Sequence, residues 1–99
     1  MAAHAYEVER SYTVNGRSEN TVSAASVLAC DTADDGHQIE AQFYRKNLSG
    51  RMEVRDNAGD GCSAHTINDT TYRVVQHRGV RLRLVDDVGV WKYVNGYLD

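Results

Sequence analysis

Residues 37–46 alternate without a fault: Ile39, Ala41 and Phe43 stand in one phase, and Gln38, Glu40, Gln42 and Tyr44 in the other. A period of two marks an extended segment with one dry and one wet face, because a helix would scatter the same apolar residues around its axis. After Leu48-Ser49-Gly50 the pattern resumes over residues 51–56, with Met52 and Val54 inward and Arg51, Glu53 and Arg55 outward. The two segments read as a hairpin.

The rest of the chain keeps this period in short pieces separated by Gly, Asn and Asp. Residues 5–14 predict a strand with Tyr6, Val8, Tyr12 and Val14 on one face and Glu7, Glu9, Ser11 and Thr13 on the other, Arg10 interrupting the apolar side. Asn15-Gly16 then opens a polar loop through Asn20. Residues 21–30 carry Val22, Ala24, Leu28 and Cys30 in one phase and Ser23, Ala25, Val27 and Ala29 in the other, the composition of a strand covered on both sides. Three alanines offer a helical alternative for residues 20–29, which Thr21, Val22 and Val27 oppose. Residues 62–67 form a further strand and Asn68-Asp69 a turn; residues 71–78 and 80–85 pair about Arg78-Gly79. Residues 89–95 close the sheet, with Trp91 and Tyr93 on one side and Tyr97 and Leu98 docking or fraying beyond.

With 99 residues, 41% of them apolar, the chain suffices for one domain that buries roughly 60–65% of its unfolded surface. The expected fold is all-β: a single-domain antiparallel β-sandwich or flattened barrel of six to eight short strands, with residues 1–4 a tail and 5–99 the domain. The chain has no proline, so its sheet edges need charge or closure to stay unpaired.

The two cysteines flank an internal echo. Asp31-Thr32-Ala33-Asp34-Asp35-Gly36 and Asp56-Asn57-Ala58-Gly59-Asp60-Gly61 share an Asp-x-Ala-x-Asp-Gly pattern; Cys30 stands just before the first copy and Cys62 just after the second. A Cys30–Cys62 bridge closes a loop of roughly 33 residues, for which chain entropy gives about 3–4 kcal/mol. The alternative is two buried free thiols; metal ligation is disfavoured because there is no Cys-x-x-Cys and His4, His37, His65 and His77 are scattered. In the echo, the first Asp caps a turn and the Gly supplies a left-handed residue. A Ca2+ site drawing on Asp31, Asp35, Asp56 and Asp60 is the functional alternative, but neither copy has an acidic third position or a bidentate Glu at the twelfth.

The run Cys30-Asp31-Thr32-Ala33-Asp34-Asp35-Gly36-His37, with Asp60-Gly61-Cys62-Ser63 and Asp86-Asp87-x-Gly-x-Trp91-Lys92-Tyr93, resembles small secreted disulfide-containing β-proteins of actinobacteria over most of residues 27–93. Those proteins often carry a second, carboxy-terminal cysteine pair, which is absent here. The resemblance implies export, disulfides and a compact β fold, and no reaction. Ala3-His4-Ala5 has the small-x-small form of a signal-peptide cleavage site, although no 7–15-residue apolar segment precedes it.

A net charge of −3 with only Lys46 and Lys92 as lysines argues against a nucleic-acid surface, and no stretch of about 18 apolar residues predicts a membrane span. No cofactor is expected. Catalysis would have to come from Ser63 or Cys62 with His65, His37 or His77 and a loop aspartate; Ser63 and His65 share a strand face, a spacing common by chance. Binding has more support, since Arg73, Arg78, Arg81 and Arg83 cluster with His77 in the penultimate hairpin, Arg73, Arg81 and Arg83 alternating with Val74, Val80, Leu82 and Leu84, and Tyr72, Trp91 and Tyr93 lie near in sequence. Arg and aromatic side chains anchor interfaces with proteins and carbohydrates. The expectation is therefore a secreted or surface binding module for a protein or carbohydrate, monomeric or edge-paired. A structural subunit of an extracellular or virion assembly comes second and a small hydrolase third. Sequons at Asn47 and Asn68 fall at predicted turns.

Overall fold

The computed structural model describes residues 5–33, 35–56, 61–66 and 72–95, and they form two antiparallel sheets packed face to face. The first sheet has β1 (Arg10–Thr13), β2 (Gly16–Asn20), β3 (Ser26–Asp31) and β6 (Gly61–Thr66) in the order β1-β2-β3-β6. In the second, β5 (Met52–Asp56), β4 (Ile39–Arg45) and β7 (Val74–Arg81) lie side by side, and the two-residue strands β8 (Asp87–Val88) and β9 (Lys92–Tyr93) share the free edge of β7. The described residues thus make seven strands of four or more residues and two short ones. No helix among them is long and apolar enough to cross a membrane.

The β4–β5 hairpin follows its sequence pattern closely. Ile39, Ala41 and Phe43 are buried in the core with Val27, Ala29, Val74 and Val94, and Met52 and Val54 pack against them. Elsewhere the pattern misleads. The expected polar loop over 15–20 is, from Gly16 onward, strand β2, paired with β1 on one side and β3 on the other. Residues 21–25 are a turn in which Ala24 takes φ 57°, so only the second half of the expected strand 21–30 is extended. The expected turn at Arg78-Gly79 lies inside β7, where Gly79 pairs with Ala41 of β4. The expected turn at Asn68-Asp69 with its sequon, and the Tyr97-Leu98 end, lie outside the described residues.

Tyr6, expected inward, is buried, but within β1 the phase is the opposite of that expected. Ser11 is buried and Tyr12 is 65% exposed. The reason is proximity. A Cβ on Gly79 would stand 2.7 Å from the Ser11 carbonyl oxygen and 3.0 Å from the Ser18 nitrogen, so where β1 and β2 lie over β7 only small side chains fit. Gly16 is constrained likewise, since a Cβ there would collide with the Ile39 side chain; the glycine serves packing, and Asn15, at φ 60°, takes the left-handed turn position.

The polar groups trapped in this narrow seam satisfy one another. The Ser11 hydroxyl donates to the Val90 carbonyl at 2.6 Å and accepts from Gly79 N–H at 3.1 Å. Asn20 donates its amide N–H groups to the Glu7 and Thr21 carbonyls, which orients its Oδ1 toward His77 Nε2, 3.1 Å away. Nε2 therefore carries the proton, and Nδ1 accepts from the Ser18 hydroxyl at 2.6 Å. Burial pushes the His77 pKa down from 6.5 to about 4.

Two predictions follow from the seam. Gly79→Ala forces backbone apart between the sheets and is expected to cost about 1–3 kcal/mol in urea unfolding. For His77 the unfolded ring takes up its proton at 6.5 and the folded ring only at about 4, so the folded state loses ground as pH falls between those values. At 1.36 kcal/mol per pH unit for one proton, the loss reaches roughly 3 kcal/mol by pH 4 and is absent above pH 6.5. Urea melts of the native and His77→Gln chains across this range should show that component of the slope only in the native chain.

Candidate functional site

On the outer face of the second sheet, alternate residues of four strands form a continuous surface. Glu40 and Gln42 of β4 project there under a layer of arginines and are nearly sealed from solvent. Glu40 accepts from Arg55 Nε at 3.0 Å and from Gln42 Nε2 at 2.8 Å, while Gln42 Oε1 accepts from Arg78 Nε at 2.8 Å and from Arg51 at 3.4 Å. A shielded carboxylate held this way is costly to strip of its partner. The Arg78 guanidinium lies 4.6 Å over the Trp91 ring, and Tyr44 meets the same ring at 5.5 Å, tilted by 41°. Tyr93 pairs with Gln76, which pairs with Tyr44, so all three share this face; Tyr93 is 60% exposed.

The five residues expected to bind are thus divided. Trp91 and Tyr93 come together on this face. Arg73 is a structural staple: one of its terminal nitrogens donates to the Val94 carbonyl at 2.6 Å and the Val74 carbonyl at 3.1 Å, and its guanidinium sits 4.5 Å over Tyr6. Arg81, expected on a solvent face, lies in phase with His77 and Gly79 because β7 runs straight through. It is held between Asp35 at 3.1 Å and Asp87 at 2.9 Å. Arg83 follows in the next turn, 3.6 Å from Asp87 and half-exposed. Leu82 and Leu84 were expected inward with Val80, yet Leu84 and Val85 protrude as an exposed tip. Arg78, Tyr44 and Gln42 complete the face. Arg78 belonged to the expected arginine cluster, but the turn assigned at Arg78-Gly79 hid that it alternates with Arg81 along one strand and pairs with Gln42.

The candidate Ca2+ ligands have other work. Asp31 N–H donates to Asp56 Oδ2 at 3.2 Å, the Ser63 hydroxyl donates to Asp56 Oδ1 at 3.2 Å, and Asp31 Oδ1 caps its own loop through Ala33 N–H. Asp35 faces away toward Asn15, His37 and Arg81; Asp60 lies outside the described residues. Among the described residues no group of three or more His, Cys, Asp or Glu is placed to hold a metal ion.

The hydrolytic candidates are also dispersed. Cys62 is bonded to Cys30, Ser63 serves Asp56, and the His65 ring meets that of Phe43 at 5.2 Å, tilted by 54°. The arrangement that does resemble a nucleophile, base and orienting group is Ser18, His77 and Asn20, which the sequence reading missed because it placed Ser18 and Asn20 in a loop. All three are buried in the seam, where no substrate reaches.

A hydrogen bond from Asn15, with further ones from the His37 backbone and Arg81, lowers the Asp35 pKa from 3.8 to about 2. NMR titration of the carboxyl carbons is expected to place the Asp35 midpoint near 2 in the native chain and to move it up toward 3.8 in Asn15→Ala.

Compared with known proteins, the chain matches no family model, and neither curated proteins nor solved structures yield a significant match.

Proposed function

We propose that this domain is a secreted or surface interaction module that binds a protein partner through the outer face of its second sheet and carries out no reaction. The observation that carries this reading is the joining of Arg78, Trp91, Tyr44 and exposed Tyr93 on one rigid surface, braced from beneath by Gln42 and Glu40. Arginine and large aromatic side chains dominate the energetics of protein interfaces, and side chains already held in place lose little entropy on binding. Carbohydrate is the less favoured ligand. Arg78 covers one face of the indole and Tyr44 leans on it, so Trp91 does not offer the open flat ring on which a sugar stacks. The disulfide is compatible with an oxidising, extracellular setting, as in the exported actinobacterial β-proteins that the sequence resembles.

A second reading, an assembly subunit, draws on the protruding Leu84 and Val85 and on β1 at the edge of the first sheet. Light scattering over a concentration series separates the two, a constant monomer mass favouring the binder. For the binder, the immobilised domain should capture a partner protein from culture medium. Tyr93→Ala and Arg78→Ala should each weaken capture by about tenfold or more while far-ultraviolet spectra stay unchanged. Leu84→Ser should bind as the native chain does. Retention of capture by both face variants would refute this assignment.

A further inference from the structure

We infer that the Cys30–Cys62 bridge is a thiol-exchange site, attacked at Cys62 by a low-molecular-weight thiol, which leaves Cys62 as a mixed disulfide and Cys30 as a free thiol. The inference is independent of the binding face.

The two cysteines differ sharply in exposure. Cys30 is 1% exposed, in the middle of the sheet with β2 on one side and β6 on the other, whereas Cys62 is exposed on β6, the outermost strand. Exchange requires the incoming sulfur to approach along the line of the bond it breaks. On the Cys62 side lies the sheet edge, which no described strand covers. On the Cys30 side lies β2, where Arg17 is the cross-strand neighbour of Cys30. Among the described residues, only the Cys62 side is free of a neighbouring strand.

The bridge also has room beside it. Arg17, Asp31, Thr32 and Gly61 line an open cleft of about 420 Å3 that includes both cysteines, large enough for a peptide-sized thiol. Arg17 places a cation in that cleft, and Glu19, 2.8 Å from Arg17 Nε, lies with Oε1 3.8 Å from Cys30 Sγ. In the exchange a thiolate forms a bond to Cys62 Sγ, the Cys30–Cys62 bond breaks, and its electron pair leaves on Cys30. The entering thiol is oxidised and Cys30 is reduced. Cys30 takes a proton from water in the cleft, and its S–H then has the Glu19 carboxylate as acceptor.

The strand need not detach. Cys30 and Cys62 are opposed in a ladder that pairs Ser26–Asp31 with Gly61–Thr66, so backbone pairing holds β6 while the bond is open. Cys30 remains beside the adduct and can expel the small thiol again, which makes the modification reversible.

The test uses the folded chain with excess reduced glutathione and no denaturant, quenched in acid and mapped by peptide mass. The glutathione adduct is expected on Cys62, with Cys30 free. An adduct on Cys30, or exchange confined to urea concentrations that unfold the domain, would overturn the inference. Because Cys30 shortens the adduct's lifetime, two single variants give a second measurement. Cys62 in Cys30→Ser should react with an aromatic disulfide reagent at least roughly tenfold faster than Cys30 in Cys62→Ser. Equal rates in two folded variants would likewise overturn it.

Discussion

Where β1 and β2 lie across β7, the two sheets approach to backbone contact, and the rest of the structure is arranged around that narrow place. A sandwich normally keeps its sheets about 10 Å apart with apolar side chains between them. Here Gly79 meets Ser11 and Ser18 with no space for a methyl group, so this half of the interior holds hydroxyls, an amide and an imidazole in place of aliphatic groups. Unsatisfied, each such group would cost about 1–3 kcal/mol. They are instead linked through Ser18, His77, Asn20 and the Glu9 backbone N–H, which donates to Asn20 at 2.9 Å. The apolar core of Ile39, Ala41, Phe43, Val27 and Val74 occupies the other half, where the sheets have room for it.

That division explains which parts of the fold could be read in the chain. The β4–β5 hairpin was legible down to its phase because Ile39, Ala41, Phe43, Met52 and Val54 follow the usual rule that apolar residues face inward. The disulfide was legible from its placement around the repeated loop. β1 and β2 broke the rule: Ser11, Ser18 and Asn20 face inward and Tyr12 outward, an inversion set by how close β7 comes. Periodicity along one strand carries no information about that distance. Gly79 was read as a turn residue for the same reason, since a glycine required by a tertiary approach looks in sequence like one required by a bend.

The arginines show the same limit on the functional side. Their number near the carboxy terminus was evident, but their roles depend on partners distant in sequence. Arg81 is neutralised by Asp35, 46 positions away, and Arg73 is occupied by the Val94 carbonyl, 21 positions away. Arg78 differs from Arg81, because its partner Gln42 is neutral and leaves the guanidinium charge uncompensated by that contact, stacked on an indole at the surface. An arginine whose charge is already matched has less to offer a partner, which is why the face built around Arg78 is the better candidate than the end built around Arg81.

The two margins of the sandwich are secured by different chemistries. At β1 and β7, hydrogen bonds and close packing act within the folded state, so their loss is felt as strain or as an unpaired buried group. At β3 and β6, the Cys30–Cys62 bond reinforces strands that already pair over six residues, and much of its effect falls on the unfolded chain, whose freedom it restricts by about 3–4 kcal/mol. Changes at the first margin therefore disturb the native arrangement, while opening the second lowers stability with the arrangement kept. A covalent bond of that kind, at an exposed edge and beside a charged cleft, is one the domain can break and remake without unfolding.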